Sequence, residues 1–285
     1  MFILHYFLYN VICYESKNGT KKLMYRPIKR FLDFLLSFIG VIVFGPLLIV
    51  LAIIVRFNLG APVLFRQKRV GRYNKIFTLY KFRSMRIAYD EKGQLLPDAE
   101  RLTKFGLFLR RSSLDELPQL FNILLGDMTI IGPRPKTIFE TLLMKDTKYV
   151  YRAAIKPGLS SWSVIHGRNN MRNDQALAYD FEHVVRFSAW LDTKIFFKTI
   201  GLVIKGSGIN TDGHVTFLHL SDFLLQNNIK TPEEIALIKQ QAFQVEIDKL
   251  KFVPMGITKQ EFKTKRREMK KWRKTYDANQ PITWD

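Results

Sequence analysis

The sequence of 285 residues has one cysteine, Cys13, and five scattered histidines. A lone thiol excludes an intramolecular disulfide and a thiolate-rich zinc site, and no HExxH or Cys/His spacing restores a zinc reading. Acidic residues are scarce: 25 Asp plus Glu face 45 Lys plus Arg, a formal charge of +20. With 47% hydrophobic residues and 23 Phe, the chain is neither an acidic solvated polymer nor a disordered one. Neither GxGxxG nor GxxxxGK[ST] occurs, which disfavours dinucleotide or P-loop chemistry. Excess positive charge suits a polyanionic partner, and on charge alone nucleic acid and an anionic membrane both stand.

What is present favours the membrane. FLLSFIGVIVFGPLLIVLAIIV, residues 34 to 55, runs uncharged from Asp33 to Arg56 and meets the length of roughly 20 residues that a span requires. Gly45 and Pro46 near its midpoint predict a bend, because proline removes a helical hydrogen bond and clashes with the preceding turn. Two arrangements fit: a kinked transmembrane helix, or a re-entrant helix-break-helix hairpin that enters and leaves through one leaflet. Lys29 and Arg30 precede the stretch, and Arg56, Arg66, Lys68 and Arg69 follow it. Basic flanks on both sides favour the hairpin, since a single span would leave one of them outside. The apolar MFILHYFLYNVICY before it lacks a signal peptide's basic start and cleavage site, and reads as an interfacial anchor or a leader. Nucleic acid is not expected as a partner, for the basic residues accompany no recognition fold or stacking pattern.

The polar body begins with IFTLYKF, whose alternation predicts a short hairpin or edge strand. SLDELPQLFNIL then predicts a helix, with Ser113 or Asp115 as cap and Pro118 near its start, and Asp115 and Glu116 in the first turn. Arg110 and Arg111 come before this pair; Asp127 and Arg134 follow in GDMTIIGPRP, where glycine and proline force turns. Guanidiniums suit phosphate oxygens, and adjacent carboxylates can hold a divalent ion or attack phosphorus. The chemistry suggested is phosphoryl transfer beside a membrane. IKPGLSSWSVIHGRNN places Lys156, His166 and Arg168 in loops; His183 reads as structural. YDFEHVVRFSAWLDTKIFFKTIGLVI has the spacing of an amphipathic helix that lies on a membrane or packs on the body. TPEEIALIKQQAFQVEIDKL opens on a capping box, Thr231 with Glu234. Beyond it, residues 251 to 275 carry ten Lys or Arg against two Glu, as a solvated tail or a surface-binding segment would.

From KRFLD through FRQKRVG, YKFRSM, RRSSLDELPQLFNILLGDMTIIGPRP and KPG…W…GRN, roughly residues 26 to 210, the sequence resembles the bacterial sugar transferases known as monotopic phosphoglycosyl transferases. The resemblance implies an α/β fold: a mainly helical small catalytic domain with short β-hairpin elements, a re-entrant membrane hairpin broken at Gly45 and Pro46, and amphipathic interfacial helices. It implies residence on the cytoplasmic face of a bacterial inner membrane, among anionic lipids. The activity implied is transfer of a sugar 1-phosphate from a UDP-sugar to polyprenyl phosphate, with release of UMP. In that reading Asp115 attacks the β-phosphorus to form a covalent phosphosugar, Glu116 holds Mg²⁺ with Asp115 as a further contact, and Arg110 and Arg134 bind phosphate. Arg111, Lys81, Arg83 and Arg168 are additional phosphate-binding candidates, and a homodimer is compatible.

Departures from the pattern fall in three places. Gly45-Pro46 stands where the hairpin break is commonly Ser-Pro, losing a hydroxyl but retaining the break. PGLSSWSVIHGR stands where PG(I/L)TGWAQVNGR is common, so Ser160, Ser161 and Ser163 replace Thr, Gly and Ala, and DFEHV puts His183 in a tyrosine position. The chain divides as an apolar leader over 1–25, a membrane hairpin over 26–57, a catalytic domain over 58–215 and a basic, partly helical extension over 216–285. A phosphodiester hydrolase and a basic membrane scaffold are the alternatives.

Overall fold

A computed structural model describes residues 13–15, 21–23, 25–167, 171–205 and 220–279. Most of the leader falls outside these residues, except for two short antiparallel strands, β1 (Cys13–Glu15) and β2 (Lys21–Leu23). The first long element is α1 (Tyr25–Leu59), a single helix with Pro46 inside it. It is long and apolar enough to cross a membrane. Helical structure runs on through Gly45 and Pro46, so the two halves expected from the sequence are one element; proline merely leaves the Ile42 carbonyl without its helical donor.

One stripe of α1 is buried, at Asp33, Ser37, Leu51, Val55 and Leu59, while Phe31, Ile42, Val43, Ile49 and Phe57 project outward. Near its start, Arg30 donates to the carbonyls of Ile123 (2.6 Å) and Leu124 (2.8 Å), and Asp33 accepts from Thr129 Oγ1 (2.6 Å) and the Ile130 amide (3.0 Å). Near its end, Leu51, Val55 and Leu59 pack with Phe82 and Leu109. Both ends of the helix are thus held by the same body.

That body is mostly helical with short β elements. β3 (Leu64–Val70) and β4 (Ile76–Phe82) form the hairpin expected around IFTLYKF, in antiparallel register from Leu64 opposite Phe82 to Val70 opposite Ile76. After α2 (Asp98–Arg101), Thr103 caps α3 (Lys104–Ser112), and α4 (Gln119–Leu125) follows. β5 (Thr129–Ile131) leads to α5 (Ile138–Leu143), whose capping box joins Thr137 and Glu140. β6 (Gly158–Ser160) pairs with β5 in parallel. Gly132 is required where they meet: a Cβ there would lie 2.3 Å from the Lys156 carbonyl oxygen and 2.9 Å from the Gly158 nitrogen.

The chain continues through α6 (Val164–Gly167), α7 (Asn173–Val185) and α8 (Ala189–Lys205). α8 packs on the body through Leu191 and Ile195, which are buried, while Trp190, Phe197 and Val203 are exposed. α9 (Leu220–Gln226), α10 (Pro232–Ile247) and α11 (Lys259–Met269) complete the described residues. The Thr231–Glu234 capping box forms as expected. These last helices are built into the body and are no loose tail. Leu220, Leu224, Phe262 and Met269 share the main core with Tyr149, Leu177 and Phe181, and Val245 and Val253 pack with Val70 and Ile138. The Ile76 amide donates to Lys251 (2.8 Å), tying the extension to the hairpin.

Candidate active site

Asp115 and Glu116 sit on a 3₁₀ turn, Leu114–Glu116, between α3 and α4. This differs from the helical first turn expected for them. Ser113 adopts a left-handed backbone (φ 59°) that ends α3, and Pro118, with no N–H to give, begins the next helix. The turn cannot drift, because Asn122 on α4 locks onto β4: its Nδ2 donates to the Thr78 carbonyl (2.7 Å) and its Oδ1 accepts from the Tyr80 amide (3.1 Å). The same strand carries Lys81, whose Nζ reaches Glu116 Oε1 at 2.6 Å and Asp115 Oδ2 at 3.9 Å.

Arg134 extends from the GPRP turn to Glu116 Oε1 at 3.4 Å. Arg110 Nε donates to Ser84 Oγ (2.9 Å) on the opposite side. Burial pushes the Asp115 carboxyl up to about 6; Lys81 pulls it down and Glu116 adds to the rise. Arg110 is lowered from its ordinary value by burial, against the attraction of Asp115.

These groups line a cleft of about 1660 Å³. Nine Arg or Lys and three Asp or Glu line it, so it favours anions. Apolar side chains line it too, among them Ile130, Leu159, Val164, Phe196, Ile200 and Val203.

Asp115, Glu116, Lys81, Arg110, Arg111 and Arg134 all line this cleft. Arg83 also borders it, but its guanidinium donates to the carbonyls of Leu59 (3.3 Å), Gly60 (3.3 Å) and Pro62, pinning the end of α1. Asp127 lies apart, paired with Lys75 at 3.3 Å. Arg168 lies outside the described residues. Gly45 has open space around it. His166 stacks on Tyr179 (4.4 Å) and bonds the Trp162 carbonyl (2.8 Å). His183 is buried away from the cleft; its Nε2 meets Asp192 at 2.7 Å.

Sequence reasoning missed three supports. Asn122 lay hidden in an apolar run. Asp192, which also takes Lys29 (2.8 Å) and the Tyr25 hydroxyl, read as one polar residue of an amphipathic helix. Asp180, the first residue of DFEHV, was visible as part of a pattern but without a partner.

Residues 24–206 match the family described as bacterial sugar transferase. The chain belongs to this family. Among its relatives is an uncharacterised sugar transferase of Bacillus subtilis, 44% identical over 163 residues, which are 57% of this chain and 80% of that protein. The UDP-N-acetylgalactosamine-undecaprenyl-phosphate N-acetylgalactosaminephosphotransferase of Aeromonas hydrophila is 39% identical over 192 residues, 65% of this chain and 45% of that one. The UDP-glucose:undecaprenyl-phosphate glucose-1-phosphate transferase of Xanthomonas campestris is 38% identical over 181 residues, 59% of this chain and 37% of that one. The sugar transferase described here thus spans less than half the length of those two named enzymes.

Divalent metal can be tested against the donor set. Among the described residues no group of three or more His, Cys, Asp or Glu could hold an ion. The Asp115–Glu116 pair suits Mg²⁺ of the kind held by one or two carboxylates with substrate phosphates and waters completing the shell. Asp115 and Glu116 could supply two such ligands and do not form a cage of their own.

Proposed function

We propose that this sugar transferase moves a sugar 1-phosphate from a UDP-sugar to a polyprenyl phosphate and releases UMP. The observation that carries this reading is a carboxylate pair, Asp115 and Glu116, in a cleft lined by both basic and apolar side chains. The basic side chains suit a diphosphate, and the apolar ones suit an isoprenoid. Relatives named for undecaprenyl phosphate acceptors support the same assignment.

Asp115 is the nucleophile in this proposal. Its carboxylate oxygen attacks the β-phosphorus, the bond to the UMP oxygen breaks, and UMP leaves. A phosphate oxygen of the lipid then attacks the same phosphorus, forming the diphosphate and returning the Asp115 carboxylate. Dividing the transfer in this way lets the soluble product depart before the lipid reacts. Glu116 and Asp115 would hold Mg²⁺, which offsets phosphate charge when bound. Lys81 holds Glu116 in place, and Arg110 and Arg134 offer guanidiniums to the phosphate oxygens.

α1 is read as a re-entrant element that holds the catalytic body to the cytoplasmic face of the inner membrane. At 35 residues it is about 52 Å long if straight, yet its first and last turns pack on one body. Basic residues at both flanks favour anionic headgroups.

Purified protein given a UDP-sugar carrying ³²P at its β-phosphate, without lipid, is expected to release UMP and retain label on Asp115. Asp115→Asn should stay membrane-bound and unlabelled. Undiminished labelling of that variant, or UMP release only when lipid is added, would remove Asp115 from the nucleophile's role.

A further inference from the structure

Arg134 is a long side chain, 45% exposed, whose guanidinium meets one carboxylate among the described residues, Glu116 at 3.4 Å. Where its guanidinium can reach therefore depends on where its backbone is held. That backbone is gripped on both sides by one ion pair. The Arg134 amide donates to Asp180 Oδ2 at 3.1 Å, the Arg134 carbonyl accepts from the Arg152 guanidinium, and the same guanidinium donates to Asp180 Oδ2. Asp180 and Arg152 are 1% and 7% exposed, and neither lines the cleft.

The second carboxylate oxygen of Asp180 is also occupied. Ser163 Oγ donates to Oδ1 at 2.9 Å and lies 2.8 Å from Ser161 Oγ, which accepts the Val164 amide at 3.2 Å. Because Ser163 gives its proton to Asp180, Ser161 must donate to Ser163. The chain of donors therefore runs one way, from Val164 through both serines to the carboxylate. These serines are two of the departures from PG(I/L)TGWAQVNGR, where Gly and Ala supply no hydroxyl.

We propose that Asp180, Arg152 and Ser163, completed by Ser161, are positioning residues that fix Arg134 for its phosphate. A buried ion pair adds little net stability over apolar packing of similar volume. Here it serves geometry, since displacement by about 1 Å at a phosphate-binding group can cost two orders of magnitude in rate. Ser161 and Ser163 extend the clamp and do not line the cleft, whereas Ser160 does.

The inference rests on the proposed function, and two measurements keep the two apart. In UMP release, Asp180→Asn is expected to lower kcat at least about tenfold and Ser163→Ala by a smaller factor, both effects shrinking to under about twofold in an Arg134→Ala background. Amide exchange over residues 131–136 should quicken about tenfold in Asp180→Asn and detectably in Ser163→Ala, with α3 and α4 unchanged. Equal losses in both Arg134 backgrounds, or exchange unaltered in that segment, overturn the clamp. Should Asp180→Asn fail to fold, Ser163→Ala, which removes only a hydroxyl, decides by the same comparison. A wild-type chain that releases no UMP sinks the functional reading, while exchange still decides the clamp.

Discussion

Asp115 illustrates how a residue proposed to react can work against the fold that holds it. Its folded pKa of about 6 exceeds the ordinary 3.8, so the native state binds the proton more tightly than the unfolded chain does. The stability this provides is complete below 3.8 and is lost as pH rises through about 6. The carboxylate that the proposed attack on phosphorus requires is therefore the less stable form. Asparagine stays neutral and escapes the loss. Asp115→Asn should stabilise the protein by roughly 1–3 kcal/mol at pH 8, with the advantage gone by about pH 4. Denaturant melts at both pH values would measure it, and a variant no more stable than wild type at pH 8 would contradict the burial argument. The type and spacing of Asp115 and Glu116 were legible in LDELP. The shift was not, because it depends on burial and on Lys81, 34 residues away in sequence.

At the level of elements, the cleft exists because α4 is fastened to β4. Asn122→Ala removes both bonds and leaves the Thr78 carbonyl and Tyr80 amide without that partner. A loss of about 2–4 kcal/mol follows, together with slower UMP release as Lys81 and the Asp115 turn separate. Thermal unfolding of the variant in lipid nanodiscs measures the first effect; an unchanged midpoint would mean that packing alone holds α4 to the hairpin. Alternation in IFTLYKF was enough to predict the hairpin, and capping chemistry enough to predict the start of α10. The 3₁₀ turn was not foreseen. Serine and aspartate before an apolar run signal a helix start, and the left-handed Ser113 that breaks this rule has no sequence signature of its own.

For the whole molecule, the length and apolar character of α1 were plain from residues 34–55, but its contacts were not, since the hydrogen-bond partners of its first turns lie 93 to 167 residues away. The extension after residue 215 was underestimated for a related reason. Its charge is conspicuous in sequence, whereas Phe262, which enters the core, is an isolated apolar residue among polar ones. If α1 is re-entrant, cysteines at Lys22 and Asn58 in a Cys13→Ser chain should both resist an impermeant maleimide in intact cells and both react in inverted vesicles. Labelling of one from each side would establish a span.

The tie between the root of α1 and Asp192 also bears on how the protein is made. Tyr25 and Lys29 leave the ribosome long before Asp192 does. If α1 enters the bilayer, it meets lipid while its polar partners are still unsynthesised, and the body condenses onto a segment already lodged there. Membrane insertion would in that case be an early step of folding, with lipid acting as a template for the cleft.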